Sequence, residues 1–281
     1  MSNRSFAVIG HPIGHTMSPF IHARLFRLNG IEASYDVVDV DPARLDTEIP
    51  RLLESLDGFN VTIPFKSAVI PFLDRLEGVA AEYGSVNTVR CRDRSGRTTD
   101  PTGFVRALAA AEIPLRGRVA ILGAGGVSRV FAGEAARAGC DVTFGVLDSD
   151  VPAARQIREE ILRHHPDAVI DVVGIRTLSG EFDLLVNATP VGMYPRTGVM
   201  AADASLLPHC RAVFDAVYNP QETELLRSAR TSGCRVQGGM PMLVWQAAAA
   251  QEIWLDVSFG SADVEQVIAE ATDYMNGHFA G

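Results

Sequence analysis

Val119-Ala-Ile-Leu-Gly-Ala-Gly-Gly-Val-Ser-Arg129 is the stretch that decides how this chain is read. Four apolar residues, Val119 to Leu122, run into Gly123, Ala124, Gly125, Gly126 and Val127, and a helix-like segment follows to Gly139. A short continuous apolar run marks a strand buried on both faces of a parallel sheet. Glycines at its end turn the backbone tightly and let it approach a ligand with no Cβ in the way. The first amides of the next helix, with the positive end of the helix dipole behind them, seat an anion such as a diphosphate. The spacing is Gly-x-Gly-Gly-x-x-Arg, with Ser128 at the third glycine position of the full dinucleotide fingerprint. Glycine turns of this kind also occur with no ligand, so the loop needs support from elsewhere.

That support begins one strand further on. Val142 to Leu147 reads as a strand and ends at Asp148-Ser-Asp150. A carboxylate there accepts both hydroxyls of an adenosine ribose and repels a 2′-phosphate. With no Arg or Lys between Gly139 and Arg155, Asp148 and Asp150 favour NAD over NADP. Asp150 taken alone is better explained as a helix N-cap before Val151-Pro152.

Working outward, strands and helices alternate along the chain. Upstream, Phe6 to Ile9, Ala33 to Val40 and Asp57 to Pro64 read as strands. Helices are expected from Ser18-Pro19 to Asn29-Gly30 with Ser18 as N-cap, from Pro42 to Leu56, and from Lys66 to Leu73. Tyr83 to Cys91 and Arg97 to Asp100 read as a two-stranded section turning at Arg94-Ser-Gly96. Downstream, Ala168 to Val173, Asp183 to Asn187 and Ala212 to Val217 read as strands. Helices are expected over Thr102 to Ala111, Val127 to Ala138, Ala153 to His164, Thr223 to Ser232, Met242 to Trp254 and Ala262 to Asn276. The pattern is an α/β segment of about 100 residues followed by a parallel doubly wound sheet.

Composition narrows the function classes. The chain has 281 residues, 47% hydrophobic and 21% charged, enough for a sizeable core in about two domains. A net charge of −9 argues against a nucleic-acid binder, which would carry a basic stripe. No run reaches membrane-span length, and Met1 to Ser5 leads into Phe6 to Ile9 with no leader-like apolar region. Four scattered cysteines, with no Cys-x-x-Cys, read as small apolar residues, and a cytoplasmic location is expected.

Two upstream clusters carry chemistry. In Asn60-Val-Thr-Ile-Pro-Phe-Lys66, alternation puts Asn60 and Thr62 on one side of a strand, with Lys66 just beyond the proline. Polar side chains beside a lysine suit a hydroxylated, anionic ligand, and a lysine near a carboxylate moves a proton. A lone lysine after a loop is ordinarily a surface residue, and Asp100 is ordinarily a helix N-cap. In His11-Pro-Ile-Gly-His-Thr-Met-Ser18, Thr16 and Ser18 offer hydroxyls to a carboxylate. His11, His15 and His22 share no rigid face, so no metal site is expected.

Together these stretches resemble the shikimate dehydrogenase family, including its quinate/shikimate relatives, nearly end to end. The likeness is carried by Ile9 to Pro19, Gly58 to Lys66, Gly84 to Thr88, Thr99-Asp100, Leu122 to Arg129, Asn187 to Met193, Asp215 to Pro220 and Met242 to Gln246. It implies a substrate domain at 1–102 joined by C-terminal helices at 240–281, a Rossmann-like dinucleotide domain at 103–239, and a cleft between them. By the same resemblance Lys66 is the catalytic lysine and Asp100 its partner. Thr16, Ser18, Asn60, Thr62, Asn87, Tyr218 and Gln246 hold the carboxylate and ring hydroxyls. Gly123 to Gly126 cradle the diphosphate. Thr189, Val191 and Met193 line the nicotinamide side, and Gly239 and Met242 approach it from the other domain.

Three departures stand out. The usual Asn-Thr-Asp-Gly is Thr98-Thr-Asp-Pro101; the usual Asn-Arg-Thr that binds the NADP phosphate is Val146-Leu-Asp148; and Met240-Pro241 follows Gly239. The expectation is an NAD-preferring oxidoreductase, NADP being the alternative cofactor. It interconverts shikimate and its 3-keto form, with Lys66 moving the proton. Quinate or an aminoshikimate is the alternative substrate, and a non-catalytic metabolite sensor the alternative class. A monomer or a homodimer fits the resemblance.

Overall fold

The computed structural model describes residues 4–14 and 16–278. The chain divides into two compact units. Unit 1 is the chain through Gly103 with Val244–Ala271, and unit 2 is Phe104–Leu243 with the residues from Thr272 on.

Unit 1 is built on a mixed six-stranded sheet. Its strands are β1 (Arg4–Gly10), β2 (Ala33–Asp39), β3 (Gly58–Val61), β4 (Arg75–Leu76), β5 (Thr88–Arg90) and β6 (Ser95–Arg97), in spatial order β2-β1-β3-β5-β6-β4. The β2, β1 and β3 strands run parallel, and β5 is antiparallel to both its neighbours. Strand alternation sends Ala7 and Ile9 into a core with Phe59, Val61 and helix α2 (Leu45–Ser55). Phe6 goes to the opposite face, against Phe26 of helix α1 (Ser18–Leu28) and Trp254. A four-residue helix, α3 (Ala80–Tyr83), precedes β5.

Unit 2 holds six strands that are parallel throughout. They are β7 (Arg118–Leu122), β8 (Asp141–Val146), β9 (Ile170–Gly174), β10 (Leu184–Asn187), β11 (Ala212–Asp215) and β12 (Arg235–Gln237). The order is β12-β11-β10-β7-β8-β9, so connections leave β7 in one direction and resume at β10 in the other. Helices α4 (Asp100–Ala110), α5 (Gly126–Arg137), α6 (Val151–His164) and α7 (Glu224–Thr231) accompany these strands. Val119 and Ile121 enter the core on one face with Phe131 of α5. Ala120 and Leu122 enter the other with Leu225 and Leu226 of α7. Burial of both faces explains why β7 reads as an unbroken apolar run. Two last helices are α8 (Gly239–Leu255) and α9 (Ser261–His278).

Several local expectations are corrected. Met17, not Ser18, is the N-cap of α1, and no side chain caps that helix. The helix expected after Lys66 is a run of turns followed by a 3-10 turn at Ile70–Phe72, with Pro64 just before the segment and Pro71 inside it. Asp150 is the N-cap of α6 but makes no side-chain capping bond; its carboxylate accepts from Ser149 Oγ. The short β4, β12 and α3 were not anticipated.

All four cysteines are free and buried, and burial pushes the Cys91 and Cys210 thiols up to about 12. Among the described residues no helix is long and apolar enough to cross a membrane.

Candidate functional site

In unit 1 the backbone around Lys66 is pinned before its side chain is used. Buried Phe65 anchors the turn, and Val86 N–H donates to the Lys66 carbonyl at 2.8 Å. Asp100 opens α4. Lys66 Nζ donates to Asp100 Oδ2 at 2.6 Å, with the two side chains 31% and 13% exposed. A lysine ammonium has three donors and Asp100 takes one, so the pair holds the amine head while it stays accessible.

Asn87 organises what surrounds that pair. Its Nδ2 donates to Asp100 Oδ1 at 2.8 Å, and its Oδ1 accepts from the Thr99 N–H at 2.8 Å. Gln246, on α8, presents Oε1 to Asn87 Nδ2 at 3.2 Å and to Thr99 Oγ1 at 3.4 Å. Lys66, Asp100, Asn87 and Gln246, drawn from distant parts of the chain, therefore form one cluster. Thr99 is a member that the sequence motif Thr99-Asp100 contained without a role of its own. Neighbouring Thr98 is buried, and its Oγ1 has no hydrogen-bond partner among the described residues.

A second line of hydroxyls runs into the same cluster. Thr16 Oγ1 donates to Ser18 Oγ at 3.1 Å, and the Ser18 hydroxyl opposes the upward push that burial gives the Tyr35 phenol. Tyr35 Oη donates to Asn60 Oδ1 at 2.7 Å. Asn60 is buried and donates Nδ2 to the Asn87 carbonyl at 3.0 Å and to Thr88 Oγ1 at 3.2 Å. Its amide thus holds β5 and Asn87 in place. Thr62 lies just past β3, with its N–H on the Ile9 carbonyl at 2.9 Å. Tyr35 was also missed; an aromatic ring with a polar tip in an alternating strand was its only sequence signal.

The histidines do not converge. His11 Nδ1 lies 2.7 Å from exposed Asp39. His22 is buried, stacked on Tyr35 at 4.1 Å, and burial pushes its imidazole down to about 3. His15 lies outside the described residues. Among the described residues no group of three or more His, Cys, Asp or Glu is placed to hold a metal.

In unit 2 the loop after β7 fits a dinucleotide diphosphate. Gly123 has φ +94°, and a Cβ there would stand 2.6 Å from Thr189 Cγ2, so the position requires glycine. A Cβ at Gly125 or Gly126 would meet nothing within 4 Å, leaving open space above the start of α5. Ser128 Oγ accepts the Gly125 N–H at 3.1 Å, which closes the first turn of α5 where a third glycine was expected. Ala124 and Val127 pack on the core beneath. Asp148 is exposed, at the start of a 3-10 turn following β8, and Asp150 ends that turn.

The remaining residues of unit 2 cluster at the carboxyl ends of β10 and β11. Asn187 Oδ1 accepts from the Thr189 N–H at 3.0 Å and from Thr189 Oγ1 at 2.6 Å. Thr189 Oγ1 in turn accepts the Val191 N–H at 3.2 Å. Met193 is exposed, and Tyr194 N–H donates to the Asn219 carbonyl at 2.9 Å, joining the two loops. Tyr218 is half-buried, and burial pushes its phenol up. Gly239 N–H donates to the Val217 carbonyl, and a Cβ at Gly239 would collide with the Ala216 carbonyl oxygen. Met242 is buried in the unit 2 core.

Comparison with known proteins follows the same division. Residues 8–89 match the model of the shikimate dehydrogenase substrate binding domain. The chain is 35% identical over 257 residues to the shikimate dehydrogenase (NADP(+)) of Shouchella clausii, covering 89% of this chain and 92% of that one. Among solved structures it is similar to shikimate 5-dehydrogenase from Thermus thermophilus in complex with NADP(H) and shikimate. The TM-score is 0.85 at 34% identity, covering 95% of this chain and 99% of that one. It is also similar to quinate dehydrogenase from Corynebacterium glutamicum in complex with NAD. There the TM-score is 0.86 at 28% identity, covering 95% and 99%.

Proposed function

The chain belongs to the shikimate dehydrogenase family, and on that footing we propose that it interconverts shikimate and 3-dehydroshikimate with a nicotinamide dinucleotide. The observation that carries this reading is the Lys66–Asp100 pair, 2.6 Å apart and partly open to solvent. Unit 1 acts as the substrate domain and unit 2 as the dinucleotide domain.

Oxidation removes a hydride from the ring carbinol carbon and a proton from its oxygen. The nicotinamide, when bound, accepts the hydride. Lys66 takes the hydroxyl proton, and Asp100 holds Nζ in the direction of that oxygen. In the reverse direction the Lys66 ammonium donates to the carbonyl oxygen and protonates it as the alcohol forms. Asn87 and Gln246 bind ring hydroxyls, and Thr16 and Ser18 bind the carboxylate. Asn60 and Tyr35 support that arrangement from behind. The loop at Gly123 to Gly126 seats the diphosphate at the start of α5.

NAD is the favoured cofactor on this reading. The named shikimate relatives are NADP enzymes. The argument for NAD is exposed Asp148, in a segment with no basic residue between Gly139 and Arg155. A carboxylate there bonds the ribose hydroxyls and repels a 2′-phosphate. Quinate is a second substrate reading, favoured by the likeness to an NAD-bound quinate dehydrogenase. The deciding experiment is a steady-state panel of shikimate, quinate and an aminoshikimate against NAD and NADP. The expected best pair is shikimate with NAD. Turnover preferring NADP would remove the role given to Asp148, and no turnover of any polyol would leave a metabolite sensor.

A further inference from the structure

Asp215 is fully buried at the end of β11. Its Oδ1 accepts from Asn187 Nδ2 at 2.9 Å and from the Val217 N–H at 3.0 Å, and its Oδ2 accepts from Thr223 Oγ1 at 2.7 Å. Burial pushes the carboxyl up while those three bonds oppose it. A buried carboxylate is expensive, and apolar side chains of similar size make cheaper scaffolding. A carboxylate at this buried position therefore calls for a role beyond packing.

What the carboxylate holds is the loop that follows β10. Asn187 spends one end of its amide on Asp215, and that fixes where the other end points. Asn187 Nδ2 also donates to the Val191 carbonyl at 3.3 Å, and its Oδ1 takes both donors of Thr189. On the other side Asp215 takes the Val217 N–H, so the segment leading to Tyr218 starts from the same carboxylate. Thr223 is the N-cap of α7, its Oγ1 accepting the Leu226 N–H at 3.3 Å, which ties the network to a rigid helix.

The place of these loops in the sheet shows which part of a ligand they meet. The strand order reverses between β7 and β10, and doubly wound sheets bind ligands at that crevice, outside the carboxyl ends of the strands. Asp148 lies beyond β8, on the adenosine side of the reversal. Thr189 lies against Gly123 on the other side, and Ala188 N–H donates to the Leu122 carbonyl at 3.0 Å. The β10 and β11 loops therefore fall to the half of the dinucleotide that carries the nicotinamide.

We propose that Asp215 is a positioning residue for the nicotinamide half of the dinucleotide, acting through Asn187 on Thr189 and Val191 and through the backbone of Val217 on the Tyr218 segment. The proposal rests on the reading of unit 2 as a dinucleotide domain. It makes binding of the two cofactor halves separable. Adenosine and diphosphate contacts come from the β7 and β8 loops, which Asp215 does not touch.

The experiment compares wild type, Asp215→Ala, Asp215→Asn and Asn187→Ser. Affinity is measured for the reduced dinucleotide that wild type binds better, and for the matching ADP-ribose, which lacks the nicotinamide. Asp215→Ala and Asn187→Ser are expected to weaken the dinucleotide about tenfold, the loss of one well-made interaction. ADP-ribose affinity is expected to change by less than about twofold, and kcat to fall; in Asn187→Ser, which leaves the Val217 bond in place, the KM for shikimate is expected to change little. Asp215→Asn keeps an acceptor toward Asn187 and Val217 and can donate to Thr223, so it is expected to recover most of the loss. Should Asp215→Ala fail to fold, Asn187→Ser breaks the same link from the other end. Equal weakening of ADP-ribose and dinucleotide, or no change in either, would overturn the proposal. If wild type binds neither NADH nor NADPH, the dinucleotide reading itself fails, a result distinct from either of those.

Discussion

Asn87 and Asn187 are each the hub of an Asn–Thr–Asp triad, one in each unit. In both, the asparagine oxygen accepts a threonine backbone N–H, from Thr99 at 2.8 Å and from Thr189 at 3.0 Å. In both, the amide nitrogen donates to one aspartate oxygen, of Asp100 at 2.8 Å and of Asp215 at 2.9 Å. The triads part at the second carboxylate oxygen. That of Asp100 meets the amine of Lys66, and that of Asp215 meets the hydroxyl capping α7. One carboxylate faces a cation whose head is accessible, and the other is sealed. The same hydrogen-bonded unit is thus open to an amine in one setting and closed on a helix cap in another, and the partner of a single oxygen makes the difference.

The sharpest way to break this comparison is to remove the cation. Lys66→Ala is expected to lower turnover by about 10³-fold or more, as for loss of a positioned acid–base group, with dinucleotide affinity unchanged. Near-normal turnover would place the chemistry elsewhere. The next test exchanges each carboxylate for its amide. Asp100→Asn is expected to lower kcat by about 10²-fold, because Lys66 loses its charged partner, while Asp215→Asn lowers it by less than about tenfold. Equal losses would erase the distinction between the triads.

Acid separates the units more gently. In unit 1, hydrogen bonds from Arg75 and Arg97 hold the Glu77 carboxyl below its usual range, and Arg90 does the same for Asp93. A lowered carboxylate contributes stability that is present above its unfolded pKa and lost as pH falls through the folded value. Melting temperature is therefore expected to hold down to about pH 5 and to fall below about pH 4. The pair Glu77→Gln with Asp93→Asn should lower the neutral-pH value and flatten that decline. Asp215 has the opposite sign. A raised carboxyl contributes stability below its unfolded pKa and loses it as pH rises through the folded value. Asp215→Asn is accordingly expected to raise Tm at pH 7 by about 2 °C and to lose the gain near pH 4. A fall in Tm at pH 7 would mean that the lost acceptor outweighs the removed charge.

The sequence exposed these two triads unequally. The apolar run of β7, the glycine turn and the long helix α8 were legible because each is a local pattern of burial or backbone freedom. Lys66 and Asp100, which alone read as a surface lysine and a helix N-cap, took their roles from the family resemblance. Asn187 and Asp215 lay in quoted motifs without a role, because a buried polar network is defined by partners far apart in the chain. Thr99, quoted beside Asp100, had no role for the same reason: its partner Gln246 lies on α8, far along the chain. Tyr35 resembled an ordinary strand aromatic until its hydroxyl was found on Asn60. The helix expected after Lys66 failed because Pro71 falls within the expected span, where it removes a helical N–H and clashes with the preceding turn. Ser18 is the first residue of α1 rather than its cap, and its hydroxyl accepts from Thr16 instead.

One consequence of the aromatic stack in unit 1 is spectroscopic. The chain has two tryptophans, Trp245 and Trp254, both on α8 and both in unit 1. Trp254 is buried, stacked on Phe6 at 4.7 Å, with its indole N–H on the Val89 carbonyl at 2.9 Å. Emission excited at the red edge of protein absorption therefore comes from one unit alone, and unit 2 is dark at that wavelength. A fluorescence melt follows unit 1, whereas circular dichroism follows both units. Coincidence of the two curves measures how far the units unfold as one cooperative body, with no label added.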